Sequence, residues 1–155
     1  MRVLIALLLC ASLARAEPRS GFTFAATGGT NVDAPFAGVQ VGRRFARAPF
    51  LELYLDASYG AAISELPFTT FGAGLRTYFL RRGRIELFHQ ALAAFAISGS
   101  GDVHDRAIGE RLLGAFMTQG VGVSVELCSC WSVSLTVSTG YPVWLRPELA
   151  ARYTW

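Results

Sequence analysis

The side chains with chemistry to offer are few, and most are arginines and carboxylates. The chain has 155 residues, and all 14 of its basic residues are arginine. Its two histidines are His89, in "RIELFHQALAAFAI", and His104, in "SGSGDVHDRAIGER". His104 stands beside Asp102 and Asp105 with serines nearby, the residue types that a general base and a nucleophile require. A Gly/Ser-rich connection does not orient them, and three loop ligands without a rigid scaffold make a weak metal site. The sequence therefore implies no catalytic residue, no metal and no cofactor. Cys128 and Cys130 form a Cys-x-Cys pair in "ELCSCWS". In an oxidising compartment such a pair can close a strained disulfide, and it lacks the second ligand pair of a zinc site. What remains is Arg44, Arg76 and Arg152 set against Glu52, Asp56, Glu86, Glu126 and Glu148. Their meaning depends on the elements that carry them.

Those elements follow a period of two. In "FLELYLDASYG" (50–60), Leu51, Leu53, Leu55, Ala57 and Tyr59 alternate with Glu52, Tyr54, Asp56, Ser58 and Gly60. "WSVSLTVSTG" (131–140) and "TFGAGLRTYF" (70–79) repeat the pattern, as does "GAFMTQGVGVSVEL" (114–127), where Gln119 is a polar misfit on the apolar side. Weaker runs cover 21–27, 36–45 and 84–97, and "ELAARYTW" (148–155) closes the chain with Leu149, Ala151, Tyr153 and Trp155 in phase. That makes eight strands. Connections alternate between longer polar or Gly-rich stretches ("GGTNVDAP", "AAISELP", "SGSGDVHDRAIGER", "YPVWLRPE") and tight ones ("ARAP", "RRG", "CSC"). An even-numbered antiparallel meander with long loops at one end and short turns at the other is the pattern of a transmembrane barrel.

The leader agrees with export. "MRVLIALLLCASLARA" carries Arg2, an apolar run and a small-x-small site at Ala14–Ala16, so residues 1–16 read as a cleaved signal peptide and 17–155 as the barrel domain. Leu9 precedes Cys10 where a lipidated cysteine follows a small residue. Apolar residues make up 52% of the chain and mean hydropathy is +0.39, yet no later segment has the roughly 20 apolar residues of a membrane helix. The net charge of +3 includes Arg2 and Arg15 of the leader, and no basic patch interleaved with aromatics suggests nucleic acid.

The two faces then decide which side meets lipid. The apolar face has no carboxylate through the strand centres, whereas the other face carries the opposed charges, which can pair inside a closed barrel. Arg43 falls on the apolar face near a turn, where a long side chain can snorkel. Aromatics fall at strand ends: Phe22, Phe45, Phe79, Trp131, Tyr153 and Trp155 at the turn end, and Phe36, Tyr59, Phe68 and Phe95 at the loop end. Two girdles match interfacial preference.

On these features the chain resembles the small eight-stranded outer-membrane barrels of the OmpA/OmpX kind. The resemblance covers the whole of 17–155, and its most specific piece is "ELAARYTW". Glu148, Tyr153 and Trp155 match the terminal signal by which the barrel-assembly machinery recognises its clients, with Ala150 where glycine is usual. The resemblance implies an all-β, up-and-down transmembrane barrel in the cell outer membrane, a monomer in contact with outer-membrane lipid and lipopolysaccharide. Eight strands leave an interior that side chains fill, so the lumen is expected to be plugged and the role structural or surface-interacting. The alternatives are a narrow gated pore or a lipid A-modifying enzyme. The lipid A deacylases need a His-x-Ser-Asn type motif, which neither "HQALAA" nor "HDRAIG" supplies.

Overall fold

The computed structural model describes residues 20–31, 34–61, 67–98, 114–141 and 145–155. They form eight strands: β1 (Gly21–Asn31), β2 (Ala34–Phe45), β3 (Ala48–Ala61), β4 (Pro67–Arg82), β5 (Ile85–Ser98), β6 (Gly114–Glu126), β7 (Trp131–Tyr141) and β8 (Arg146–Thr154). Each pairs antiparallel with its neighbours in sequence, and β8 returns to β1 along Thr23↔Thr154 to Gly29↔Glu148. Closure leaves no edge of unpaired backbone groups, which is the condition for strands to cross hydrocarbon.

Several strands run beyond their period-two segments. "GGTN", expected as connection, continues β1 to Asn31, and β2 begins at Ala34. Gly28 pairs with Ala37 and Leu149, and Gly29 with Phe36 and Glu148. Neighbours on both sides supply the hydrogen bonds, so pairing overrides a turn-like composition. By the same logic β4 begins at Pro67 and β8 at Arg146, within stretches expected as loops. The leader 1–16 and the His104, Asp102 and Asp105 group lie outside the described residues.

Two irregularities matter for the interior. The register slips between Tyr78 and Leu80, opposite Phe88 and Leu87. Phe79 and Leu80 therefore both face out, and Arg81 is turned inward. A second slip lies between Arg44 and Phe45, just before the β2–β3 turn. The β4–β5 turn has Gly83 at φ 60, a left-handed conformation that glycine adopts without a Cβ clash.

Candidate functional site: the barrel lumen and its outer face

The barrel is inverted relative to a water-soluble fold. Arg76 is 1% exposed and Glu52 1%, while Met117 is 69% exposed and Leu55 65%. Alternation along each strand produces this sorting, because successive side chains point to opposite faces. Arg44, Glu52, Asp56, Arg76, Glu86, Glu126, Glu148 and Arg152 are all buried in the lumen.

Sequence periodicity overlooked two further arginines. Arg146 is fully buried, two residues ahead of Glu148 in the same phase, and extending the last strand would have found it. Arg81 could not be found that way, because the bulge at Tyr78 and Leu80 reverses its phase. With both included, the lumen charges balance among the described residues: Arg44, Arg76, Arg81, Arg146 and Arg152 face Glu52, Asp56, Glu86, Glu126 and Glu148. Gln40 and Gln90, also buried, complete the set.

These groups are tied together across the barrel. At the turn end, Arg44 grips Glu86 through two hydrogen bonds of 3.0 and 2.9 Å, a bidentate pair. Its guanidinium lies 3.9 Å from the Tyr78 ring centre. Arg81 bridges Glu86 at 3.3 Å and Glu126 at 3.0 Å. Higher up, Glu52 sits between Arg76 at 3.4 Å and Arg152 at 3.5 Å, and accepts from Thr23 at 2.9 Å and from the Tyr78 hydroxyl. Arg152 also donates to Tyr78 at 2.8 Å. Arg76 donates to Gln40 and to Gln90, and Gln40 donates to Asp56 at 2.8 Å and to Glu148 at 3.1 Å. Nearer the loop end, Arg146 lies 3.3 Å from Glu148 and 4.0 Å from Asp56, above the ring of Phe36.

Aromatic side chains fill the space between the charges. Tyr54, Tyr78, Phe88 and Phe116 are buried. The ring of Tyr54 lies over Gly74 and that of Phe88 over Gly122, so closely that a Cβ at either glycine would collide with it. Inward glycines on the neighbouring strand are thus the recesses that receive inward rings.

Two girdle residues are corrected. Phe36 is 5% exposed and faces the lumen, where the Arg146 guanidinium stacks on it 4.3 Å from the ring centre. Phe68 is half-buried, and its ring covers Gly60 of β3. Both share the inward phase of their strands, with Gln40 and Thr70, so strand-end position alone misplaced them. Tyr59 and Phe95 do face out. At the turn end Trp131, Tyr153, Trp155 and Phe22 form a continuous aromatic set, with ring centres 5.2, 5.9 and 6.1 Å apart along the series. Arg43 lies over Phe22 at 5.0 Å. The N–H of Trp155 donates to the carbonyl of Phe22 at 3.1 Å, which ties the last residue to β1. Cys128 and Cys130 are thiols in the β6–β7 turn, Cys128 being exposed.

No family model and no curated protein matches the chain. Solved structures do. The N-terminal β-barrel domain of Pseudomonas aeruginosa OprF superposes with a TM-score of 0.70 at 12% identity, covering 88% of this chain and 100% of that one. Neisserial surface protein A superposes at 0.52 with 13% identity, covering 88% and 96%. A de novo designed transmembrane β-barrel gives 0.55 at 16% identity, covering 92% and 100%. The chain therefore has the fold of the small eight-stranded outer-membrane β-barrels. Among these similar structures are the barrel domain of OprF and the surface protein NspA.

Proposed function

We propose that the protein is an integral barrel of the cell outer membrane whose lumen is plugged, and that it serves envelope integrity or surface interaction without catalysis. The observation that carries this reading is the inverted polarity: balanced charges inside and exposed Leu, Val, Phe and Met outside. An apolar outer wall suits lipid, where an arginine at the midplane would cost about 2–4 kcal/mol. The plug is supported by hydrogen bonds that cross from strand to strand, and by a turn-end lumen cavity of only about 10 Å³ lined by Arg44, Glu52, Tyr78 and Arg152. That is room for about one water. The aromatic closing strand supports recognition by the barrel-assembly machinery through Glu148, Tyr153 and Trp155. Outer-membrane lipid and lipopolysaccharide would be its surroundings.

The test combines extraction with conductance. The detergent-extracted protein should migrate differently on gels before and after boiling, and in planar bilayers it should pass no large, steady current. Release as a soluble periplasmic protein would overturn the membrane reading. Large steady steps would overturn the plug.

A further inference from the structure

The outer wall carries an arginine that the lumen network leaves unanswered. Among the described residues, every side-chain carboxylate is buried in the lumen: Glu52, Asp56, Glu86, Glu126 and Glu148. Arg43, Arg47 and Arg82 are exposed, all at the turn end, and among the described residues no exposed side-chain carboxylate neutralises them. Arg43 projects from the strand wall itself, where it pairs with Phe22 of β1 and Leu53 of β3. Its guanidinium lies 5.0 Å from the Phe22 ring centre and 6.0 Å from that of Phe45. Those rings are its only side-chain partners among the described residues, and neither offers it a hydrogen-bond acceptor or a counter-charge.

Arg43 stands at the turn-end mouth of a shallow groove in that wall. The groove holds about 390 Å³ and is lined by Phe22, Val41, Arg43, Leu53, Leu55 and Ala73. Pairing orders these residues by height. Arg43 and Leu53 are opposite each other, and the next outward pair away from the turn is Val41 and Leu55, with Ala73 opposite Leu55. That step of two residues advances the groove about 7 Å toward the strand centres. The mouth is level with the turn-end aromatic band, because Phe22, the pairing partner of Arg43, stacks on Trp155 at 6.1 Å. Such bands mark the level of the lipid headgroups.

A cation at the headgroup level, followed toward the strand centres by an apolar trough, matches one molecule in a fixed order: a phosphodiester with its acyl chain. We propose that Arg43 and this groove bind a single anionic phospholipid of the leaflet at the turn end, its phosphate on the guanidinium and one acyl chain along Leu53, Val41, Leu55 and Ala73. The inference rests on the membrane reading above. Guanidinium N–H donors lie in the plane of the group, so contact of its face with Phe22 leaves them free for two phosphate oxygens. Net negative charge is favoured because an ammonium-bearing headgroup would bring another cation to the end that already exposes Arg43, Arg47 and Arg82. A second copy of this chain would set Arg43 against a wall that, among its described residues, has no carboxylate to offer. Lipopolysaccharide belongs to the opposite leaflet, at the end of the long loops.

Lipid retention is read by native mass spectrometry of the folded barrel in a non-ionic detergent, titrated with phosphatidylglycerol or with phosphatidylcholine of the same acyl chains. Insertion is checked separately by heat-modifiable migration from phosphatidylcholine vesicles. One phosphatidylglycerol should be retained in preference to phosphatidylcholine. Arg43→Gln removes the charge-assisted pair, so it should weaken phosphatidylglycerol binding roughly ten-fold and erase the preference. Ala73→Phe fills the groove with every charge in place and should weaken binding as well. Arg82→Gln, on β4 two strands away, should change it less than roughly two-fold at physiological salt. An inserted barrel that retains both lipids equally overturns the proposal, as does an Ala73→Phe variant that binds like the parent. An Arg82→Gln loss equal to that of Arg43→Gln assigns the effect to diffuse charge and overturns it too. So does a dimer that Arg43→Gln dissolves, which would give this face to a second copy. A chain that never inserts overturns the membrane reading itself, and this site with it.

Discussion

Replacing Glu52 by glutamine tests the lumen network at its most connected carboxylate. Glu52 is 1% exposed and holds Arg76 at 3.4 Å and Arg152 at 3.5 Å, while accepting from Thr23 and Tyr78. The substitution keeps the shape and one acceptor oxygen but removes the charge. Arg76 retains Gln40, Gln90 and, at 4.0 Å, Glu148. Arg152 keeps only the Tyr78 hydroxyl among the hydrogen bonds named above. The loss therefore falls mainly on Arg152, which is left buried without its counter-ion. Breaking a buried pair from one side costs about 3–5 kcal/mol, and the retained amide oxygen places Glu52→Gln near the lower end, about 3 kcal/mol. Equilibrium urea unfolding in phosphatidylcholine vesicles measures it, with the exposed Trp131 and Trp155 as fluorescent reporters. Adding Arg152→Met removes the stranded cation as well. The double variant should then fall short of the sum of the two single losses by about 2 kcal/mol. A Glu52→Gln cost below about 1 kcal/mol, or strictly additive losses, would refute the idea that these groups act as one network.

Leu55, 65% exposed in the middle of β3, should lose about 2–4 kcal/mol on substitution by arginine, whereas Phe50 at the turn end of the same strand should lose only about 0–1 kcal/mol; the same unfolding assay reads both, and equal losses would argue against a lipid-facing wall. Gly74→Val should cost about 1–3 kcal/mol by driving a side chain into the Tyr54 ring, and Tyr54→Ala in that background should recover part of the loss. Deleting Trp155 removes its bond to the Phe22 carbonyl and its stacking on Phe22 and Tyr153. The heat-modifiable fraction recovered from outer membranes should fall sharply, and normal assembly would count against "ELAARYTW" as an assembly signal.

Much of the architecture is legible in single strands. Alternation in 50–60 and 131–140 separates the faces residue by residue, because one face needs apolar side chains and the other tolerates charge. The interior charges are legible for the same reason, as far as the period runs unbroken. It breaks where pairing, not composition, decides. Asn31 and Ala34 belong to strands although "GGTNVDAP" reads as a loop, since the two pair with each other across β1 and β2, and β8 also holds β1 as far as Gly29. Phe36 and Phe68 were placed by their position at strand ends, whereas their phase turns them inward.

By itself the sequence determined the number of strands, their alternating connections and the side of each that carries charge, because a two-residue period is a local property of the chain. Only the tertiary structure decided which charges meet. The bulge beside Tyr78 swings Arg81 onto Glu86 and Glu126, and the closure of β8 on β1, with β2 beyond it, brings Arg146 over Phe36 beside Glu148. With those two arginines, three cations against five anions become five against five among the described residues. Charge balance in a closed lumen depends on side chains from strands distant in sequence, and only closure of the barrel makes them neighbours.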